Sequence, residues 1–109
     1  MILESRSIIF SEEELVIALK PLLSSRELSE DYEPQEILTG LDTDGDVVVT
    51  YKGEDAGEVI FESQELGAAI LNHCIESEIP LPRGSYKELA LRGDHVALIV
   101  RIETRGSAH

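Results

Sequence analysis

The sequence has a single cysteine, Cys74, and no tryptophan. One thiol cannot form a disulfide within the chain, and a lone cysteine is typical of proteins in a reducing compartment. No apolar run approaches the roughly 18 residues that a membrane-spanning helix needs. No basic segment is followed by an apolar stretch and a small-residue cleavage site, as in a secretory signal. We therefore expect a cytoplasmic protein that has no contact with a membrane.

Basic residues are also scarce, since nine Lys and Arg stand against 22 Asp and Glu and the formal net charge is −13. Residues 1–55 carry a net charge of −10, whereas residues 56–109 carry only −3. Affinity for nucleic acids depends largely on Lys and Arg that neutralise phosphates. We therefore predict no direct binding of nucleic acid, and the simplest role of the charge is to keep the surface solvated and self-repelling.

Motifs of catalysis are missing. There is no glycine-rich phosphate loop of the G-x-x-x-x-G-K-[ST] type. His73 and Cys74 are adjacent on a predicted helix, so their side chains point about 100° apart and cannot readily act together. No third residue is spaced to orient either of them. The sequence therefore predicts no catalytic residue, no cofactor and no enzyme activity.

The stretch LDTDGDVVV has the strongest resemblance to a metal-binding loop. In an EF-hand, Asp42, Asp44 and Asp46 would supply the first three ligand positions. However, Val47 stands where the loop needs glycine, and Gly53 stands where it needs a bidentate glutamate. Asp and Gly between apolar runs favour a hairpin turn. We predict a turn and no metal site, with a surface cation site at the three aspartates as the alternative.

Two helices are indicated by their start signals. Ser11 and Glu14 have the S-x-x-E spacing of a capping box, in which each side chain accepts a bond from the other residue's amide. Pro21 is expected to kink or end this first helix. Ser63 is expected to cap the second helix, which two prolines should end. The apolar residues of the second helix and those two prolines are Leu66, Ile70, Leu71, Cys74, Ile75, Pro80 and Pro82.

The chain repeats this local pattern. IIFSEEELVIAL (8–19) aligns without gaps on VIFESQELGAAI (59–70), and strand-turn-strand patterns follow around Gly45 and around Gly93. We predict an α+β fold of two β-α-β-β units, with a largely antiparallel sheet and both helices packed on one face.

The domain organisation follows from this pattern. Residues 1–104 are predicted to form one domain, with a possible internal repeat of residues 7–52 and 58–102. The last five residues are predicted to be a disordered tail or a remnant of cloning.

The uneven charge favours a small, acidic, non-catalytic binding or regulatory module, of bacterial origin, that acts through a protein partner or through self-association. One alternative is an acidic inhibitor that imitates nucleic acid, and another is a sensor of a small molecule or a cation. The residues predicted to contact a partner are Glu30, Asp31, Glu33, Glu36, Arg83 and Lys87. The nucleic-acid mimic would use the acidic members of this set together with Glu27 and the three aspartates of the turn.

Overall fold

The computed structural model of the chain describes residues 2–29, 31–53, 57–81 and 84–104. Within these ranges the fold is α+β, with antiparallel strands and two helices, as the sequence predicts. The elements in chain order are β1 (Ile2–Ile9), α1 (Glu12–Ser25), β2 (Glu36–Leu41), β3 (Val47–Lys52), β4 (Glu58–Phe61), α2 (Ser63–Glu76), β5 (Tyr86–Arg92) and β6 (His95–Thr104). Neither helix within these ranges has the length and apolar character that crossing a membrane requires.

The strands form two three-stranded antiparallel sheets, in the orders β1-β6-β5 and β2-β3-β4. Each sheet contains one hairpin from one half of the chain and a single strand from the other half. In the first sheet, β1 pairs with β6 and places Ile9 opposite Ala97. In the second, β4 pairs with β3 and places Phe61 opposite Val49. The two halves of the chain are therefore crossed, because each completes the other's sheet.

The two helices bury matching positions. Each has 14 residues. Their buried faces are formed by Leu15, Ala18, Leu19 and Leu23 in α1 and by Leu66, Ala69, Ile70 and Cys74 in α2. The sequence alignment pairs the first three residues of each face in the same order, and the same offset pairs Leu23 with Cys74. The predicted apolar face of α2 is thus confirmed, except that Ile75 is 68% exposed. The internal repeat of residues 7–52 and 58–102 stays a prediction.

The helix starts differ in part from the sequence prediction. The Glu14 amide donates to Ser11 Oγ at 3.2 Å, which confirms Ser11 as the first cap. The reciprocal half of the predicted capping box is wrong, because the Glu14 carboxylate lies 2.8 Å from Nε2 of His73. The predicted cap at Ser63 is wrong, because that residue is the first of the helix and Glu62 is the N-cap. The Glu62 amide donates to Oε1 of Glu65 at 3.0 Å. A glutamate therefore takes the capping position at which Ser, Thr, Asp and Asn are the usual residues.

Each helix ends in a backbone hydrogen-bonded closure. After α2, the amide of Ile79 donates to the carbonyl of Cys74 at 2.9 Å, and Glu78 adopts a φ of 59°. The same Schellman-type closure ends α1, where the amide of Leu28 donates to the carbonyl of Leu23. Both closures satisfy carbonyls that the helix leaves free. Pro80 directly follows the closure of α2 and Pro82 lies outside the described residues, so the expectation that the two prolines fix the end of this helix stays a prediction.

Pro21 does not end α1, which continues to Ser25. A proline within a helix removes one amide donor from the carbonyl four residues earlier. Here that residue is Ile17, whose side chain is 48% exposed, so water can reach this side of the helix. The exposed position makes the proline tolerable.

The core lies between the helices and the two sheets. Phe10 and Phe61, which precede α1 and α2, are both buried in it. The alternate strand residues Val47, Val49 and Tyr51 point into the same core. The sheets also touch directly, because Thr39 Oγ1 donates to the carbonyl of Asp94 in the β5–β6 turn at 3.0 Å.

Candidate functional site

A groove of about 640 Å³ lies between α1 and the connection that leads from α1 to β2. Half-buried and exposed apolar side chains form its floor, and exposed charged side chains form its rim. We call this feature the α1 groove. Its floor is lined by Val16, Ile17, Tyr32, Pro34 and Ile37, and its rim by Glu12, Glu13, Lys20, Asp31 and Glu33.

The helical half of the groove follows from the spacing of residues in α1. Glu12, Val16 and Lys20 succeed one another at intervals of four, so they follow one line along the helix, with Glu13 and Ile17 beside it. The capped first turn carries the positive end of the helix dipole, which favours carboxylates there. The opposite side of α1 packs into the core. The helix therefore buries one apolar side and leaves a second, smaller one open.

The other half of the groove is held by contacts of the connection. The ring of Tyr32 stacks against the ring of Tyr51, with centroids 6.4 Å apart. The amide of Tyr32 donates to the carbonyl of Ser29 at 3.0 Å, and the amide of Gln35 donates to the carbonyl of Lys52 at 2.8 Å. These bonds fix the chain on both sides of Glu33. The acidic rim is thus attached to the core through Tyr32.

The structure separates the residues that the sequence predicts as partner contacts. Asp31 and Glu33 lie together on the rim of the α1 groove. Glu36 is exposed at the start of β2, opposite Lys52 and outside the groove lining. Glu30 and Arg83 lie outside the described residues.

Lys87 takes part in a different region. It lies on β5, and its Nζ donates to the carbonyl of Ser85 at 3.2 Å. With Asp46 it lines a second cavity, between the β2–β3 turn and the start of α2. The basic side chain is therefore not part of the α1 groove.

The sequence analysis did not single out Glu12, Glu13, Val16 and Ile17, which line the α1 groove. The signal that was available is the phase of the apolar residues in α1. Val16 and Ile17 fall outside the spacing of Leu15, Ala18, Leu19 and Leu23, so the helix has more apolar residues than one buried stripe needs.

The three aspartates form a hydrogen-bonded turn between β2 and β3. Asp42 Oδ1 accepts the amide of Asp44 at 2.8 Å and the amide of Asp46 at 3.0 Å. The amide of Asp42 in turn donates to the carbonyl of Asp46 at 2.8 Å, and Gly45 takes a φ of 83°. One ligand oxygen from each carboxylate lies within 4.8 Å of the others. These bonds explain the Asp-x-Asp-Gly-Asp spacing as turn chemistry, and the cation alternative stays a prediction.

His73 and Cys74 have separate surroundings. His73 Nε2 lies 2.8 Å from Oε2 of Glu14, and its ring is 6.3 Å from that of Phe10. Cys74 is fully buried, and burial raises the pKa of its thiol. A raised pKa disfavours the nucleophilic thiolate. This cysteine is chemically a small core residue.

Tyr51 has a polar hydroxyl inside the core. Its hydroxyl is inaccessible to solvent and has no hydrogen-bond partner among the described residues. Burial, and secondarily the neighbouring Tyr32, raise the pKa of Tyr51 to about 12. Its ring contacts Phe61 edge-on, with centroids 4.9 Å apart. The guanidinium of Arg26 lies over the ring of Phe61, 5.4 Å from its centroid.

Comparison with known proteins identifies no relative: no protein-family model, no curated protein and no solved structure matches the chain. The chemistry of the α1 groove is therefore the basis for the function considered next.

Proposed function

We propose that the chain is a small, acidic, non-catalytic binding module that acts through a protein partner seated in the α1 groove. The observation that carries the proposal is the position of Ile17, which is 48% exposed in a groove with an apolar floor and a charged rim. An apolar centre with a polar rim is the usual anatomy of a protein interface. Binding here would remove the isoleucine from water, which is favourable.

The groove lining supports recognition more than catalysis. Its ionisable groups are four exposed carboxylates, the amino group of Lys20 and the phenol of Tyr32. It contains no histidine, cysteine or serine that could act as a nucleophile with an adjacent base. Nucleophilic catalysis by such a residue would need that pair, whereas binding needs only a complementary surface.

The apolar floor also favours a protein partner over simple imitation of nucleic acid. A mimic presents carboxylates in place of phosphates, and the predicted acidic surface would serve that purpose by charge alone. The structure divides that surface, with Asp31 and Glu33 at the groove and the three aspartates in the β2–β3 turn. Ile17 and Pro34 between the groove carboxylates add a recognition element that charge mimicry does not need.

The proposed setting is the cytoplasm of a bacterial cell. The support is the single cysteine, which is buried and reduced. A lone thiol accords with a reducing compartment.

Affinity capture with matched variants tests the proposal. The full chain and its Ile17→Asp variant are each used to capture proteins from a lysate of the source cells. The control is Ile75→Asp, which makes the same substitution at an exposed isoleucine on α2, 68% exposed and outside the groove. Circular dichroism establishes that all three proteins are folded.

We expect the wild type and Ile75→Asp to enrich the same protein, and Ile17→Asp to lose it. An aspartate in the floor would have to be buried beside four carboxylates, which costs free energy in any complex. If all three proteins capture the same set, or none captures anything, the groove is not the functional surface and the proposal is wrong.

A further inference from the structure

The charges around the α1 groove specify the chemistry of its occupant. Its rim carries the carboxylates of Glu12, Glu13, Asp31 and Glu33 against the single amino group of Lys20. All five side chains are exposed in the free protein. We propose that the groove binds a short, extended segment of a partner protein in which apolar side chains alternate with Lys or Arg, an inference that rests on the proposed function and adds the partner's chemistry.

Charge complementarity is the first argument. Lys or Arg side chains of the segment would meet the carboxylates on both walls, because Glu12 and Glu13 belong to α1 and Asp31 and Glu33 belong to the connection. Attraction of this kind steers association and rejects partners of the wrong sign. The apolar side chains between them would cover Ile17 and Pro34. The segment would then contact both the charged rim and the apolar floor of the groove.

The same charges disfavour other occupants. In a two-fold dimer whose axis passes through the groove, each groove would face the groove of the other copy, because such an interface pairs a surface with itself. Eight carboxylates would then be brought together on a chain whose net charge is −13. Nucleic acids and anionic membrane surfaces are repelled for the same reason. A basic segment is the occupant that the rim attracts.

The dimensions of the groove limit the length of the segment. Along α1 it runs from Glu12 to Lys20, which is about 12 Å at the rise of an α-helix. About four extended residues cover that distance. In an extended chain successive side chains point to opposite sides. Alternation therefore places the apolar side chains toward the floor and the basic side chains away from it, toward the rim and the solvent.

A capped hexapeptide of alternating lysine and leucine is a suitable probe. It is titrated into the full chain at low ionic strength, where electrostatic attraction is least screened. Amide shifts in nuclear magnetic resonance spectra locate the contact, and isothermal titration gives the affinity. The same peptide with glutamate in place of lysine is the charge-reversed probe.

Two triple variants separate the groove from the overall charge. Glu13→Gln, Asp31→Asn and Glu33→Gln together remove three rim carboxylates. Asp42→Asn, Asp44→Asn and Asp46→Asn together remove the same charge from the β2–β3 turn, and asparagine at 42 keeps an oxygen for the two turn amides.

The inference predicts shifts confined to residues 12–20 and 31–37 and roughly tenfold weaker binding by the rim variant alone. It is overturned if both variants weaken binding equally, which would mean that net charge alone attracts the peptide. Equal binding of the charge-reversed peptide overturns it as well. A dimer that protects the amides of residues 12–20 and 31–37 from hydrogen exchange before any peptide is added would also overturn it.

The two proposals can fail separately. Capture of a partner that Ile17→Asp abolishes, through a segment without basic residues, would uphold the proposed function and reject the inference. Capture that does not depend on Ile17 would reject the proposed function itself.

Discussion

The carboxylate of Glu14 in the first turn of α1 lies 2.8 Å from Nε2 of His73 in the last turn of α2. A carboxylate only accepts hydrogen bonds, so the imidazole N–H donates. At the other end, Arg26 at the C-cap of α1 pairs with Glu65 in the first turn of α2. The start of each helix therefore meets the end of the other, and the antiparallel pair is joined at both ends.

A double-mutant cycle measures the first of these pairs. We expect His73→Ala to lower the free energy of unfolding by about 1–2 kcal/mol, because it removes a ring packed near Phe10 as well as the bond. The coupling with Glu14→Ala should be only about 0.5 kcal/mol, since the Glu14 side chain is 53% exposed and solvent screens the interaction. Urea unfolding gives both values. Glu13→Ala, on the adjacent residue, is the control and should show no coupling with His73→Ala.

The hydroxyl of Tyr51 is expected to weaken the fold. Burying a hydroxyl that has no partner costs free energy, and removing it abolishes that cost. Tyr51→Phe should therefore leave the free energy of unfolding unchanged or raise it by up to about 1 kcal/mol, while the ring contact with Phe61 remains. Tyr86→Phe, at a residue that is 61% exposed, should have no effect. A loss of more than about 1 kcal/mol for Tyr51→Phe would show that the hydroxyl is bonded after all.

The same phenol predicts a loss of stability at alkaline pH. The pKa of Tyr51 is about 12 in the fold against 10.0 for an unperturbed tyrosine. Between these values the native state holds a proton that the unfolded state has released, so a rise in pH favours unfolding. The free energy of unfolding should fall between pH 10 and 12 by on the order of 2 kcal/mol. The buried thiol of Cys74, whose pKa is also raised, contributes with the same sign.

Comparison with Tyr51→Phe isolates this contribution, because the other titrating groups are common to both proteins. Chemical unfolding at several pH values should show a shallower decline for the variant. Parallel curves for the two proteins would rule out a raised pKa at Tyr51.

The β2–β3 turn should depend on one of its aspartates much more than on another. Asp42 accepts two backbone amides, and Asp42→Ala should cost about 1–2 kcal/mol because both lose their acceptor. Asp44→Ala should change the free energy of unfolding by less than about 0.5 kcal/mol, as exposed substitutions usually do. Calcium at millimolar concentration should produce no saturable amide shifts at residues 42–46. Saturable shifts there would favour the cation site over the plain turn.

Local sequence signals account for the elements of the fold and for some of their ends. The strand patterns predict β2 and β3 closely, since Gly45 and its aspartates mark the turn and the valines alternate between core and surface. The cap of α1 was also readable. The sequence does not predict the partner of the Glu14 side chain. His73 competes with the Ser11 amide for this carboxylate, and only the packing of the two helices brings His73 close to it.

Local sequence patterns do not determine which strands pair with each other. A strand such as β4 shows by its residues that it can pair, but not with which strand, since any apolar edge would serve. Likewise, Val16 and Ile17 are apolar in sequence whether they are buried or exposed. Their place in the α1 groove depends on how Tyr32 anchors the connection, and that contact joins residues far apart in the chain.

The crossed pairing of the halves has a consequence for synthesis on the ribosome. β1 is the first strand of the fold to leave the ribosome, and its partner β6 is the last. Until then both edges of β1 are unpaired, and unpaired edges can pair with other chains. Closing so long a loop carries an entropic cost, so we expect slow folding for a chain of this size. A nascent chain without β5 and β6 would complete only the β2-β3-β4 sheet, and a fragment supplied in trans could provide the missing hairpin.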